Sequence, residues 1–275
     1  MNTSDFEFFH YSNDYPINVE YHNHDFYEIL FFISGKVKYI IEGKTYTLKP
    51  NDIVITNNKE LHKPIIDNST KYERYVLWIN PNYLKSINSD KTNLALCFND
   101  LTKSKHNLIR TDVTLFQIIN SIYKKLEISY ADLNYGDDLL KKIYLTELLI
   151  YLNKAYFHTL SKNNIENDIK YNSKINNVVN YINENLCEDL SLDTLANKFY
   201  ISKYHLSRQF KQFVGFSIHQ YIIKKRLIIA RITLTSGNSI EEAFIASGFN
   251  SYANFLKSFK EEFGLSPKKF MELYT

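Results

Sequence analysis

Within the last third of the chain, a stretch of helical period occurs twice. Leu206-x-x-x-Phe210-Lys211-x-x-x-Gly215-x-Ser217 returns 49 positions later as Phe255-x-x-x-Phe259-Lys260-x-x-x-Gly264-x-Ser266. A repeat at this period is one supersecondary unit used twice. Each copy follows a shorter helical segment and a polar break. The first runs from Ser191 to Phe199 and breaks at Ile201-Ser202; the second runs from Ser239 to Ser247 and breaks at Gly248-Phe249-Asn250. A short helix, a tight turn and a longer helix make a helix-turn-helix, here in tandem. Ser191 and Ser239 are the expected N-caps of the first helices, and Ser202 and Asn250 those of the second. Leu192, Leu195 and Ile240 are expected to face the local core, with small Ala196 where two helices cross. Leu206/Phe210 and Phe255/Phe259 form i,i+4 buried pairs. Tyr221–Leu234 reads as one long helix joining the units.

The face opposite those pairs carries the chemistry. The first long helix offers Lys203, Tyr204, Ser207, Arg208 and Lys211, and the second Ser251, Asn254, Lys257 and Lys260. These side chains reach phosphates and base edges from a helix lying in a major groove, and Arg208 is suited to bidentate pairing with guanine. A helical bundle with a solvated polar face has the same composition; the duplication favours double-stranded DNA as the partner. Charge agrees. From Tyr171 onward there are 13 Lys and Arg against nine Asp and Glu, whereas the first 170 residues hold 20 and 21. Lys211 and Lys260 directly follow the buried phenylalanines and are placed for phosphate contact or solvent.

Residues 173–272 resemble the DNA-binding domain of the AraC/XylS family of bacterial transcription regulators. The match runs through Arg226-Leu-x-x-Ala230-Arg-x-x-Leu234 and Gly248-Phe-x(5)-Phe255-x-x-x-Phe259-Lys-x-x-x-Gly264-x-Ser-Pro267. The resemblance implies two reading helices entering successive major-groove segments on one DNA face. It places base contacts at Tyr204, Ser207 and Arg208, and near Ala253, Asn254 and Lys257. The chain departs from the family pattern at two places. Phe244 stands where a small crossing residue is expected, and Phe270-Met271 replaces a common Tyr-Arg. Phe244 is therefore expected to push the second unit apart, leaving it phosphate contacts while the first unit reads sequence.

Residues 6–80 alternate apolar and polar in short runs, Tyr27–Ile33, Lys36–Glu42 and Asp52–Thr56, broken by turn residues at Ser34-Gly35, Glu42-Gly43 and Pro50-Asn51-Asp52. This predicts an antiparallel sandwich or barrel. His22-Asn-His24-x-x-x-Glu28 would present alternate residues on one strand face, with His62 approaching from a neighbour. The pattern resembles the first cupin motif, with Pro16 in place of its opening glycine. Gly43-x(5)-Lys49-Pro50-Asn51-Asp52 with His62 resembles the second, Asn51 standing in for a turn glycine. The resemblance implies a cupin-like barrel that binds a small effector. His22, His24, Glu28, Phe32, Tyr39 and His62 are the expected pocket lining. His22, His24, Glu28 and His62 alternatively form a site for Mn, Fe, Ni or Zn.

After Pro81 the period becomes helical: Leu115, Ile118, Ile119, Ile122, Tyr123 and Leu126, then Leu139, Leu140, Ile143, Tyr144, Glu147, Leu148 and Tyr151. The expected organisation is a barrel over 1–80, a dimerising helical pair over 81–160, a polar linker over 161–172 and a tandem helix-turn-helix over 173–275. The fold class is thus α+β and multidomain, with an all-α C-terminal domain.

Exclusions narrow the function. Cys97 and Cys187 lie 90 positions apart with no metal-ligand spacing, which argues against a disulfide framework or zinc finger and for the cytoplasm. No apolar run approaches a membrane span and the N-terminus lacks a signal-peptide pattern. Walker A, GxSxG and GxGxxG motifs are absent. The reading is a cytoplasmic, homodimeric, sequence-specific regulator, an activator that responds to a small effector, works with RNA polymerase and needs no cofactor. The alternative is a cupin-type metalloenzyme or metal-sensing regulator with a divalent transition metal at the four residues above.

Overall fold

The computed structural model describes residues 1, 5–15, 18–99, 106–131, 134–162 and 166–274. Pro16 and residues 163–165 of the expected linker lie outside them. The chain divides into two compact units, Met1–Ile41 with Thr45–Lys170, and Glu42–Lys44 with Tyr171–Thr275.

The first unit contains β1 (Phe6–Asn13), β2 (Tyr27–Ser34), β3 (Val37–Ile41), β4 (Lys44–Thr47), β5 (Ile53–Thr56), β6 (His62–Ile66), β7 (Tyr72–Ile79), α1 (Pro81–Ser86), β8 (Leu108–Ile109), α2 (Val113–Ala131), α3 (Asp137–Lys162), a 3-10 turn at Glu166–Asp168 and β9 (Ile169–Lys170). The strands form two separate sheets, of order β1-β7-β2-β5-β8 and β6-β3-β4-β9. Each sheet has two edges, so the expected closed cupin barrel is not formed. The cupin resemblance and the cupin-enzyme alternative lose their scaffold with it. Short strands and turn residues satisfy a sandwich and a barrel equally, because closure depends on which edges pair rather than on any one strand.

Burial explains the layering. Six successive residues of β2, Tyr27 to Phe32, are buried, so the expected in-and-out alternation is missing. Tyr27, Ile29 and Phe31 share a cluster with Ile119, Ile122, Tyr123 and Leu126 of α2 and Leu145, Leu148, Leu149, Leu152 and Tyr156 of α3. Leu30 and Phe32 belong to a second cluster with Val37, Tyr39, Ile41 and Tyr46 of the other sheet. The five-stranded sheet is therefore a middle layer with helices on one face and the second sheet on the other. A strand covered on both faces loses the period-two pattern. Rings of Phe31 and Tyr75 stack on Tyr123 at 4.8 and 5.3 Å.

The helical pair is present, with a corrected face. The buried row of α3 is Leu145, Leu148, Leu149, Leu152 and Tyr156, while Leu139 and Ile143 of the expected stripe are 61% and 57% exposed. Ile150 and Phe157 continue this outward row. An apolar residue on both sides of a helix hides which side the core takes.

The second unit consists of α4 (Ser173–Glu184), α5 (Leu192–Lys198), α6 (Lys203–Val214), α7 (Ile218–Thr235), α8 (Ile240–Ser247), α9 (Tyr252–Phe263) and α10 (Pro267–Tyr274). Ser191, Ser202 and Ser239 cap α5, α6 and α8 through their hydroxyls. Asp189 accepts from the Ser191 backbone and the Thr194 hydroxyl, and Glu242 from the backbone and hydroxyl of Ser239. Those hydrogen bonds hold both carboxyls below their ordinary pKa values. The cap of α9 is Ser251, not the expected Asn250. In the first turn, left-handed Tyr200 (φ +53°) precedes the cap by two positions; in the second, left-handed Gly248 (φ +74°) precedes it by three. The second turn is one residue longer, so the 48-residue offset between the first-helix caps Ser191 and Ser239 lands on Asn250, one position early.

Phe244 does not push the second unit apart. Ala243 is fully buried on α8, and Phe244 is half-buried with its ring edge-on to Tyr252 at 5.3 Å. In α5 the corresponding pair is Leu195 and Ala196, both buried. Large and small have exchanged places on adjacent positions, a volume-conserving repacking of the kind cores tolerate. The linking helix α7 starts at Ser217, where Ser217 and Gln220 form a reciprocal capping box. Arg226, buried on α7, donates from Nε to the Leu186 carbonyl at 3.0 Å and from Nη2 to that of Glu188 at 3.4 Å. It anchors the connection between α4 and α5.

Candidate nucleic-acid interface

Helix α6 separates its residues cleanly. Leu206, Phe210 and Val214 are buried, with Phe210 edge-on to Tyr221 at 5.5 Å. Lys203, Tyr204, Ser207, Arg208 and Lys211 are all exposed. At 100° per residue these five occupy an arc of about 140°. Tyr204 is 77% exposed. Lys203 pairs with Asp193 of α5, which fixes it at the helix start beside the turn.

Helix α9 repeats the arrangement with Phe255 and Phe259 buried. Asn254, Lys257 and Lys260 are exposed on the opposite side. Lys257 reaches Glu261 at 4.0 Å, a loose and exposed pair. Ser251 is half-buried, and its hydroxyl caps Asn254 N at 3.4 Å, so its first role is to start the helix. At the 49-residue offset, Arg208 corresponds to Lys257, Lys211 to Lys260, Tyr204 to Ala253 and Ser207 to half-buried Leu256. Helix α9 thus keeps its cations and lacks two polar side chains that α6 has. The buried partners of α9 are Phe249, Phe270 and Ala243, with Leu227, Ala230 and Leu234 of α7.

The histidines of the first unit sit otherwise than expected. His22 and His24 precede β2 in irregular backbone joined to β6 only by a bridge from His22 to His62. They do not owe their direction to strand alternation. Even so, His24, Glu28 and His62 converge, with candidate ligand atoms within 4.8 Å of one another. His22 lies beside them, its ring centroid 4.4 Å from that of His62. Burial lowers the His62 pKa below its ordinary value, partly opposed by Glu28. Tyr39 donates to Glu28 at 3.4 Å and its pKa rises well above the usual phenol value through burial. Phe32, of the expected pocket lining, is wholly buried in the inter-sheet core.

Comparison with known proteins agrees with this division. Residues 6–149 match the model of the AraC-like ligand binding domain, and residues 195–272 match a helix-turn-helix domain. The chain belongs to the AraC family. It is a DNA-binding transcription regulator rather than an enzyme. The HTH-type transcriptional activator RhaS of Escherichia fergusonii is 24% identical over 254 residues, covering 90% of this chain and 86% of that protein. PqrA of Proteus vulgaris is 41% identical over 86 residues, covering 31% of this chain and 70% of its own. Among solved structures, unsaturated fatty acid-bound ToxT of Vibrio cholerae aligns over 100% of this chain and 98% of its own, at 15% identity and a TM-score of 0.41.

Sequence reading missed one exposed feature beside α6. Tyr200, in the turn between α5 and α6, is 95% exposed and left-handed. Its ring stands in solvent two positions before the cap of α6. Its only signal in the sequence is a bulky aromatic at a turn position where glycine is the easier residue.

Proposed function

We propose that the chain is a sequence-specific transcription activator. Helix α6 enters a major groove and reads bases through Tyr204, Ser207 and Arg208. Lys203, Lys211, Ser251, Asn254, Lys257 and Lys260 bind mainly phosphates. The observation that carries this reading is the exposed polar arc of α6 set directly against its buried Leu206, Phe210 and Val214. The activator sign rests on the name of RhaS, and contact with RNA polymerase follows from it. A small effector in the first unit is supported by the family match over residues 6–149. Effector binding is checked by screening metabolites for a rise in melting temperature, since a ligand of the native state stabilises it by mass action.

Homodimerisation is assigned to α3. Leu139, Ile143, Ile150 and Phe157 are exposed at spacings of four, seven and seven, a seam suited to a second copy. Ile143→Asp is expected to halve the mass seen in sedimentation and shorten the DNase footprint. An unchanged mass removes the seam.

Binding is tested with fragments selected from random DNA. Arg208→Ala is expected to cost about 1–3 kcal/mol on the selected site and to relax one position in it. Lys211→Ala is expected to weaken all sequences alike and reduce the salt slope by about one. Equal loss on selected and random DNA for Arg208→Ala defeats the base-reading assignment.

A further inference from the structure

We propose that His24 Nε2, Glu28 Oε2 and His62 Nε2 bind a divalent transition-metal cation that ties the two sheets of the first unit together. This goes beyond the DNA-binding reading and does not depend on it. The three groups come from different places: His24 from the segment before β2, Glu28 from β2 in the five-stranded sheet, and His62 from β6 in the four-stranded sheet.

The protonation pattern is what a metal site requires. The Nδ1 of His24 lies 2.7 Å from the Phe26 carbonyl, and that of His62 3.0 Å from the Glu60 carbonyl. A carbonyl only accepts, so each Nδ1 carries the proton and each Nε2 of the neutral ring keeps its lone pair. His24 Nε2 faces Glu28 Oε2, and one ligand atom of His62 lies within 4.8 Å of those of the other two residues. Backbone-anchored imidazoles of this kind are the usual outer support of histidine ligands. The carboxylate is supported too. Trp78 Nε1 donates to Glu28 Oε2 at 2.9 Å and the Tyr39 hydroxyl to Oε1 at 3.4 Å.

Burial makes the arrangement pointed. His62 is 0% exposed, and its Nε2 has no hydrogen-bond partner among the described residues. A buried lone pair close to a buried carboxylate is unfavourable without a positive group between them, since both are acceptors. A cation satisfies both. His24 Nε2 and Glu28 Oε2 are 3.8 Å apart. Ligands held at about 2.0–2.2 Å from one ion lie roughly 3–4 Å from each other, so small side-chain rotations close the set. Two imidazoles and a carboxylate suit Zn, Fe(II), Mn, Co or Ni, with the remaining positions open to water. His22, which donates from Nδ1 toward the Glu20 carbonyl at 2.9 Å, packs against His62 outside the three-ligand set.

The test uses the full chain, purified without a metal-affinity column and stripped with chelator. Trp78 is the single tryptophan of the sequence and touches Glu28, so its emission reports this site. Titration with Co(II) is expected to quench that emission at one equivalent and to raise a visible d–d band, and Zn(II) to raise Tm. His24→Ala and Glu28→Gln are expected to weaken Co(II) binding at least about 100-fold. His158→Ala, on an exposed residue of α3, is expected to leave it unchanged. Circular dichroism of each variant separates lost ligation from lost folding. Failure of the wild-type chain to quench or to gain Tm with millimolar metal overturns the site. So does quenching that survives in folded His24→Ala and Glu28→Gln.

Discussion

Replacing Gly248 by alanine is expected to cost about 3 kcal/mol or more of the second unit's stability, whereas Gly264→Ala should cost only about 1–2 kcal/mol. Both glycines end a helix in the left-handed region, at φ +74° and +72°. Both substitutions therefore carry the same conformational penalty. Their surroundings differ. A Cβ on Gly248 would stand 2.3 Å from the Leu186 carbonyl oxygen and 2.7 Å from Cys187 Cα, while one on Gly264 meets nothing within 4 Å. The obstacle at Gly248 is backbone, and it is held from the other side because the same Leu186 carbonyl accepts from buried Arg226. Nothing flexible can give way. Urea denaturation of both variants measures the difference directly. Equal losses would mean that only φ matters and that the 186–188 segment does move.

Phe259→Ala is expected to destabilise the second unit by about 3–5 kcal/mol, the range for emptying a buried phenylalanine site. Its ring is wholly buried among Phe255, Phe263 and Phe270, with centroids 5.9, 4.5 and 5.4 Å away. Domains of this size have about 5–15 kcal/mol in total. The variant should therefore melt well below the wild type and lose DNA binding near physiological temperature without any change on the exposed face. Phe259→Leu, which fills most of the volume, should lose no more than about 1.5 kcal/mol. Retained melting behaviour in Phe259→Ala would show that α9 is not held by this cluster.

The exposed polar faces of α6 and α9 were legible because each of these two helices is covered on one side only. Leu206 and Phe210 define the buried side of α6, and the period of 3.6 then assigns Arg208 and Lys211 outward with no further information. The same logic failed wherever an element is covered twice or bare twice. In β2 the successive residues Ile29 and Leu30 face different cores, and in α3 Ile143 and Leu148 are both apolar though one meets solvent. Asn250 was misread as a cap because the 48-residue spacing of the short first helices does not register the extra residue in the second turn, whereas the 49-residue spacing of the long helices falls on Ser251. Phe244 was misjudged because its bulk was weighed without Ala243 beside it.

Local periodicity and repetition in the sequence determined the tandem helix-turn-helix, its inward phenylalanines and its outward cations. Those properties depend on neighbours three or four positions away, and a linear chain records them. Tertiary structure alone decided that the sheets stay open and which face of α3 is buried. It alone set His22 aside from the expected group, leaving His24, Glu28 and His62 within reach of one another. Each of these depends on edges or side chains brought together from 34 or more positions apart in the case of His62 and Glu28, and no local pattern encodes such a pairing.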